Sequence, residues 1–220
     1  MGIMLLISGM AAAQDTKPDF ANLQKYSAAN KSVNKKPKVV FMGDSITEGW
    51  VRADTTFFES NNFVGRGISG QTSPQNLLRF RQDVIDLKPE MVVINIGTND
   101  VAENTNEYSE KYTLDNYRNM IEIAKANDIK VILASVLPAN SFPWRKNITN
   151  VAEKVLSLNE GIKALAKEYG VSYLDYHTPL KNQENGLDAE LAKDGIHPTL
   201  EGYKKMEALA LSAIAKADKK

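Results

Sequence analysis

The stretch Val39-Val40-Phe41-Met42-Gly43-Asp44-Ser45-Ile46-Thr47 decides how the rest of the chain is read. A short apolar run rich in β-branched residues predicts a buried parallel strand, and Gly43-Asp44-Ser45 ends it as a turn into a helix. Ser45 is thereby placed at the carboxyl edge of a sheet. There its hydroxyl can face a crevice while its own N–H stays free, because the first turn of a helix leaves its donors unpaired. Those are the requirements of an acyl-transfer nucleophile. The same residues fit a plainer reading as well: Ser45-Ile46-Thr47-Glu48 matches the S/T-x-x-E capping box, in which Ser45 only caps the helix.

Downstream, residues 62–68 form a second short strand, and Ser69-Gly70-Gln71-Thr72 a glycine-marked turn with backbone donors pointing outward. Thr72 or Ser73 then caps a helix with Pro74 in its first turn and Leu77, Leu78, Phe80, Val84, Ile85 and Leu87 on its inner face. Residues 91–96 read as the clearest buried strand, ending in Gly97-Thr98-Asn99-Asp100. A helix over 108–127, a strand over 130–136, a helix over 151–169 closed by Gly170, a strand over 171–176 and a terminal helix over 199–217 complete the alternation. This pattern predicts an α/β domain of three layers with a five-stranded, mostly parallel sheet and right-handed crossovers, spanning residues 38–220. Residues 14–37 read as a surface helix and linker, with Phe20, Leu23 and Tyr26 at roughly helical spacing.

At 220 residues the chain suits one compact domain with a real core. Its 27 basic and 27 acidic side chains balance, which argues against nucleic acid as a partner and against electrostatic attachment to a membrane. The absence of cysteine excludes disulfides, thiol catalysis and zinc–thiolate sites, and two histidines outside any ligand spacing predict no metal and no cofactor. Residues 3–13 are apolar, uncharged and end in small residues, the pattern of a signal peptide cut after Ala13, although Met1-Gly2 supplies no basic residue. The run is too short to span a bilayer, so the mature protein is expected to be exported, to the periplasm or the medium, without a stable membrane anchor. Oligomeric state is not legible.

In an open parallel sheet, ligands bind beyond the carboxyl ends of the strands. Here those ends carry Gly43-Asp44-Ser45, Gly67 to Gln71 and Gly97 to Asp100, three polar turns predicted on one rim. Near the C-terminus, Asp194-Gly195-Ile196-His197 precedes the last helix. That offset allows the Asp194 carboxylate to reach Nδ1 of His197 and hold Nε2 toward a serine. A capping turn is the plainer alternative. His177, just past the fifth strand, also falls near the rim, but side chains two apart on a strand lie lengthwise along it, so Asp175 is poorly placed to orient it. Trp50, Phe57 and Phe58 could line a pocket, although aromatics in such a position are more often core. The loop 139–148, with Phe142, Trp144 and Arg145, is aromatic enough for substrate contact.

With these blocks in order, Gly43-Asp44-Ser45-Ile46 (leucine is commoner at Ile46), Gly67-Ile68-Ser69-Gly70, Gly97-Thr98-Asn99-Asp100 and Asp194-Gly195-Ile196-His197, the chain resembles the GDSL or SGNH hydrolase family from the first strand to the last helix. The resemblance implies a flavodoxin-like α/β/α fold, Ser45 as nucleophile, His197 as general base and then acid, and Asp194 as its orienter. It also implies an oxyanion hole from the N–H groups of Ser45 and Gly70 and the Asn99 amide. The G-x-S-x-G elbow of α/β-hydrolases is absent. The nearest likeness is to the branch similar to platelet-activating-factor acetylhydrolase, which implies short acyl esters, acetyl on a carbohydrate first, with Asp44, Trp50, Trp144 and Arg145 as candidate substrate contacts. Two alternatives stand beside it: a lysophospholipase or thioesterase with an acyl groove lined by Phe57, Phe58 and Phe142, and an inactive glycan-binding module.

Overall fold

The structure, a computed structural model, describes residues 19–219; the expected signal peptide lies outside them. In chain order the elements are α1 (Ser27–Lys31), β1 (Val39–Gly43), α2 (Ser45–Ala53), α3 (Thr55–Ser60), β2 (Phe63–Gly67), α4 (Ser73–Asp83), β3 (Met91–Asn95) and α5 (Thr98–Val101). They continue with α6 (Glu110–Lys125), β4 (Lys130–Ala134), α7 (Val151–Tyr169), β5 (Ser172–Leu174), α8 (His177–Leu180) and α9 (Leu200–Asp218).

The five strands form one sheet in the order β2-β1-β3-β4-β5, parallel throughout. Every residue of β1 and β3 is buried, which is why both read as unbroken apolar runs rather than alternating ones. Alternation survives as a choice between two apolar layers. Val40, Met42, Val92, Ile94, Val131 and Leu133 face α4, α6 and α7, while Val39, Phe41, Met91, Val93, Ile132 and Ala134 face α2, α3 and α9. Helices therefore cover both faces, and the expected three-layer α/β/α fold is the observed one.

Strand order places the site. The chain leaves β1 toward β2 on one side, then returns past it to β3 on the other, so the turns after β1 and β3 open onto one crevice at the carboxyl end. Ser45 begins α2 after β1, and Asn99 lies in α5 after β3.

Two expectations change. In α4 the inner face excludes Leu78, which is 60 % exposed, and includes Arg79, which is fully buried. Residues 19–37 are not a free linker: Gln71, Gln75 and Gln82 donate from their side chains to the carbonyls of Ala21, Phe20 and Leu23, each at 2.7 Å.

Candidate active site

The turn that presents Ser45 is built by Asp44. Asp44 is the N-cap of α2, and its Oδ1 accepts from Ile46 N at 2.9 Å. Ser45 is thus the first helical residue and its hydroxyl takes no part in capping. The capping-box reading is corrected in its second half too. Glu48 reaches Ser69 N at 2.7 Å and pairs with Lys25 instead of turning back on its own helix, so it fastens the Gly70 turn beside the serine.

Ser45 Oγ lies 2.9 Å from Nε2 of His197, a residue 152 positions further along the chain. His197 Nδ1 is 2.7 Å from Asp194 Oδ2. Asp194 Oδ1 accepts from the N–H groups of Ile196 and His197 at 2.9 and 2.7 Å, and Gly195 supplies the left-handed backbone, φ +76°, that closes this turn. Burial pushes the Asp194 carboxyl up, but the bonds from the His197 ring and from the two N–H groups outweigh it and hold the group below its ordinary value. The pair is 41 % and 46 % exposed at His197 and Asp194, so water reaches the imidazole directly. Tyr203, on α9, donates from its hydroxyl to Ile46 O at 3.0 Å and so ties the histidine-bearing segment to the serine turn.

Two further turns face the same point. Gly70 has φ +78°, with nothing within 4 Å of where a Cβ would stand. Among the described residues, the N–H groups of Ser45 and Gly70 are paired with no protein acceptor. Asn99 donates from Nδ2 to Gln71 O at 3.0 Å and makes a longer contact with Asp44 Oδ2 at 3.3 Å. A cavity of about 280 Å³ is lined by Ser45, Gly70, Asn99, Asn104, Trp144 and His197, with Ser69. A wider cleft of about 530 Å³ opens on the other side of Ser45 and His197, toward Arg52 and Pro198. A cleft of similar volume lined by Lys38, Phe63 and Ile214 has no serine, threonine or histidine among its lining residues.

Not every expected contact is at the cleft. Trp50 is 1 % exposed, stacked between Phe57 and Tyr203 with its indole N–H on Glu207, because α2 turns this face toward the sheet. Phe57 and Phe58 share that layer, whereas Phe142 is buried in the opposite one, so the three line no common groove. Asp44 is buried and supports the turn from beneath. Arg145 donates to Glu103 O at 3.1 Å, which fastens its loop to the turn after α5. Trp144 does line the cavity, with its ring centroid 6.4 Å from that of His197. His177 is buried, its Nε2 without a partner, and burial lowers its pKa. Among the described residues no cluster of three or more His, Cys, Asp or Glu could hold a metal, and no helix is long and apolar enough to cross a membrane. Ser69, Asn104 and Tyr203 were not legible as site residues; the only sequence signal was the nearness of the first two to Gly70 and Asn99.

Comparison with known proteins gives one consistent result. The model of the GDSL-like lipase/acylhydrolase family matches residues 41–205. A GDSL-like lipase from Bacteroides thetaiotaomicron superposes with a TM-score of 0.87 at 53% identity, over 90% of this chain and 100% of that one. An acetylxylan esterase from Xylanibacter ruminicola is 26% identical over 60% of this chain and 30% of its own length. A lipoprotein from Bacillus subtilis is 34% identical over 46% of this chain and 48% of its own. The chain thus spans less than half the length of these two curated relatives.

Proposed function

The chain belongs to the GDSL-like lipase/acylhydrolase family, a family of carboxylic ester hydrolases, and from that premise we propose that it is a serine esterase that removes short acyl groups, acetyl above all, from the hydroxyls of a carbohydrate. The observation that carries this reading is the chain of contacts from Ser45 Oγ through the His197 ring to Asp194, at 2.9 and 2.7 Å.

In this reading Ser45 Oγ attacks the ester carbonyl carbon as its proton passes to His197 Nε2. Asp194, its carboxyl held ionised, keeps the Nδ1 proton in place and stabilises the imidazolium. Negative charge on the carbonyl oxygen meets the free N–H groups of Ser45 and Gly70 and the Nδ2 of Asn99, donors already fixed by the turns that carry them. Collapse breaks the bond to the alcohol oxygen, which leaves with the proton from His197. Water, deprotonated by the same nitrogen, then attacks the acyl-serine and releases the carboxylic acid.

The short-acyl preference rests on three supports. The cavity beside Asn99 and Trp144 is small, about 280 Å³, with no aliphatic side chain among its lining residues. Phe57, Phe58 and Phe142 form no apolar groove for a long chain. A relative bears the name acetylxylan esterase. Trp144, with its ring half exposed at the rim, offers an apolar face to a sugar. Residues 1–13 are proposed as a signal peptide directing the protein out of the cytoplasm, in keeping with a lipoprotein among the relatives.

Nitrophenyl esters of increasing chain length test the acyl preference: acetate is expected to be cleaved fastest, and faster cleavage of octanoate overturns it. A fluorophosphonate is expected to label the wild type at Ser45, and Ser45→Ala and His197→Ala to abolish activity without unfolding. Activity that survives His197→Ala but not His177→Ala would reassign the base. Acetate released from acetylated polysaccharides identifies the alcohol side.

A further inference from the structure

An asparagine can stabilise an oxyanion only when its amide is turned the right way, because its oxygen and nitrogen ends are nearly the same in size and shape. Asn104 decides that turn for Asn99. Its Nδ2 donates to Asn99 Oδ1 at 2.8 Å, which engages the oxygen end and leaves Asn99 Nδ2 for Gln71 O at 3.0 Å and for either the longer contact to Asp44 Oδ2 at 3.3 Å or an oxyanion that replaces it. The same Nδ2 reaches Gly70 O at 3.3 Å, and Asn104 Oδ1 accepts from Trp144 Nε1 at 3.0 Å. One half-buried amide therefore touches the side chain of Asn99, the backbone of Gly70 and the indole of the cavity wall. Its own backbone is fixed by donation from Asn104 N to Asn99 O at 3.0 Å. A second tether, from Arg145 to Glu103 O, holds the Trp144 loop against the same turn.

Resting on the serine-esterase reading, we propose that Asn104 is a positioning residue of the oxyanion hole, locking the Asn99 amide in its donating orientation and coupling that lock to Trp144. Gln71 O and Asp44 Oδ2 hold the nitrogen end of Asn99, and Asn104 supplies the contact that holds its oxygen end away from the developing negative charge. With Asn104 in place, the wrong orientation sets nitrogen against nitrogen toward Asn104 and oxygen against oxygen toward Gln71. An alcohol moiety seated on the Trp144 ring holds the indole N–H on Asn104, so the substrate part remote from the ester steadies a donor used in the transition state.

Asn104→Asp tests this most directly. The variant keeps the size and the acceptor for Trp144 but sets an oxygen against Asn99 Oδ1, which repels that end and leaves the donating orientation held only by Gln71 O and Asp44 Oδ2. On nitrophenyl acetate, kcat is expected to fall by about a hundredfold, the loss typical of one oxyanion donor removed. KM should stay within about threefold, because the interaction lost is one made in the transition state. Asn104→Ala, which frees the amide without repelling it, should lose about fivefold in kcat, the worth of one hydrogen bond, and serves alone if the aspartate variant does not fold. Trp144→Phe keeps the ring and loses the N–H. Combined with Asn104→Ala it should cost no more than Asn104→Ala alone, since without the Asn104 amide the indole N–H has no route to Asn99. Wild-type kcat in the Asn104 variants, a loss confined to KM, or multiplied losses in the double variant would each overturn the proposal. If wild type is labelled at Ser45 while the Asn104 variants keep full kcat, only the role of Asn104 fails. Activity surviving Ser45→Ala would remove the esterase reading and this one together.

Discussion

Asp44 stands one residue before Ser45, 1 % exposed, and burial pushes its carboxyl up to about 7, against the pull of the Ile46 N–H and of His197. The folded protein therefore keeps a proton that the unfolded chain releases near its ordinary value of 3.8. Stability must fall as pH rises between those two values and stay level above the upper one, with a loss of at most about 4 kcal/mol from this group. Asp44→Asn removes the titration and keeps the oxygen that caps α2. Melting temperatures from pH 4 to 8 are expected to show the variant gaining on the wild type up to neutrality and no further; a difference independent of pH would refute the assignment. The residues Ser45, Asp194 and His197 were legible because each sits in a short turn whose chemistry is local. Asp44 was misjudged as a substrate contact, since its burial depends on the turns at Gln71 and Asn99 closing over it, and a linear reading does not contain that closure.

Helix α4 shows how an element is read correctly in kind and wrongly in facing. Hydrophobic periodicity put Leu78 inside and had no place for a charge, yet Arg79 is the buried one. Its guanidinium finds acceptors for all of its donors: Gln71 Oε1, Arg66 O, Asp83 Oδ2, Gly43 O and Asn76 Oδ1, at 2.6 to 3.0 Å. Two of these are carbonyls at the carboxyl ends of β1 and β2, so the helix is rotated to bring its fork to them. Arg79→Met is expected to cost upwards of about 3 kcal/mol, because it leaves the buried Asp83 without its cation and takes a donor from each of two carbonyls. Leu78→Glu should change stability by less than about 0.5 kcal/mol. Urea unfolding of both variants checks the pair, and the opposite ranking would mean the facing is wrong. Strands were easier to place than this helix, because a fully buried strand shows its composition whichever face it turns. The segment 19–37 was harder, because side-chain bonds from Gln71, Gln75 and Gln82 hold it and periodicity carries no trace of them.

At the scale of the molecule, the fold was legible because β and α patterns alternate strictly and a parallel sheet gathers its carboxyl ends on one rim. What alternation could not show is which surface residues the two apolar layers would take inward, and Trp50 is the plainest case. Its burial supplies a test of whether the site and the core unfold together. The sequence has two tryptophans, Trp50 in the core and Trp144 at the cleft, so Trp144→Phe leaves Trp50 as a single reporter. Trp50 stacks on Tyr203 at 5.8 Å, and Tyr203 donates to Ile46 O beside Ser45 while following His197 by one turn and a cap. Releasing His197 from Ser45 by more than a local fluctuation should therefore disturb the ring against which Trp50 packs. In a urea titration of the Trp144→Phe protein, loss of esterase activity and the shift in Trp50 emission are expected at the same midpoint, as in a single cooperative transition. Activity lost well before the emission changes would show that the segment bearing Asp194 and His197 opens on its own, and that the meeting of the chain's two ends at Ser45 is held by that segment rather than by the core.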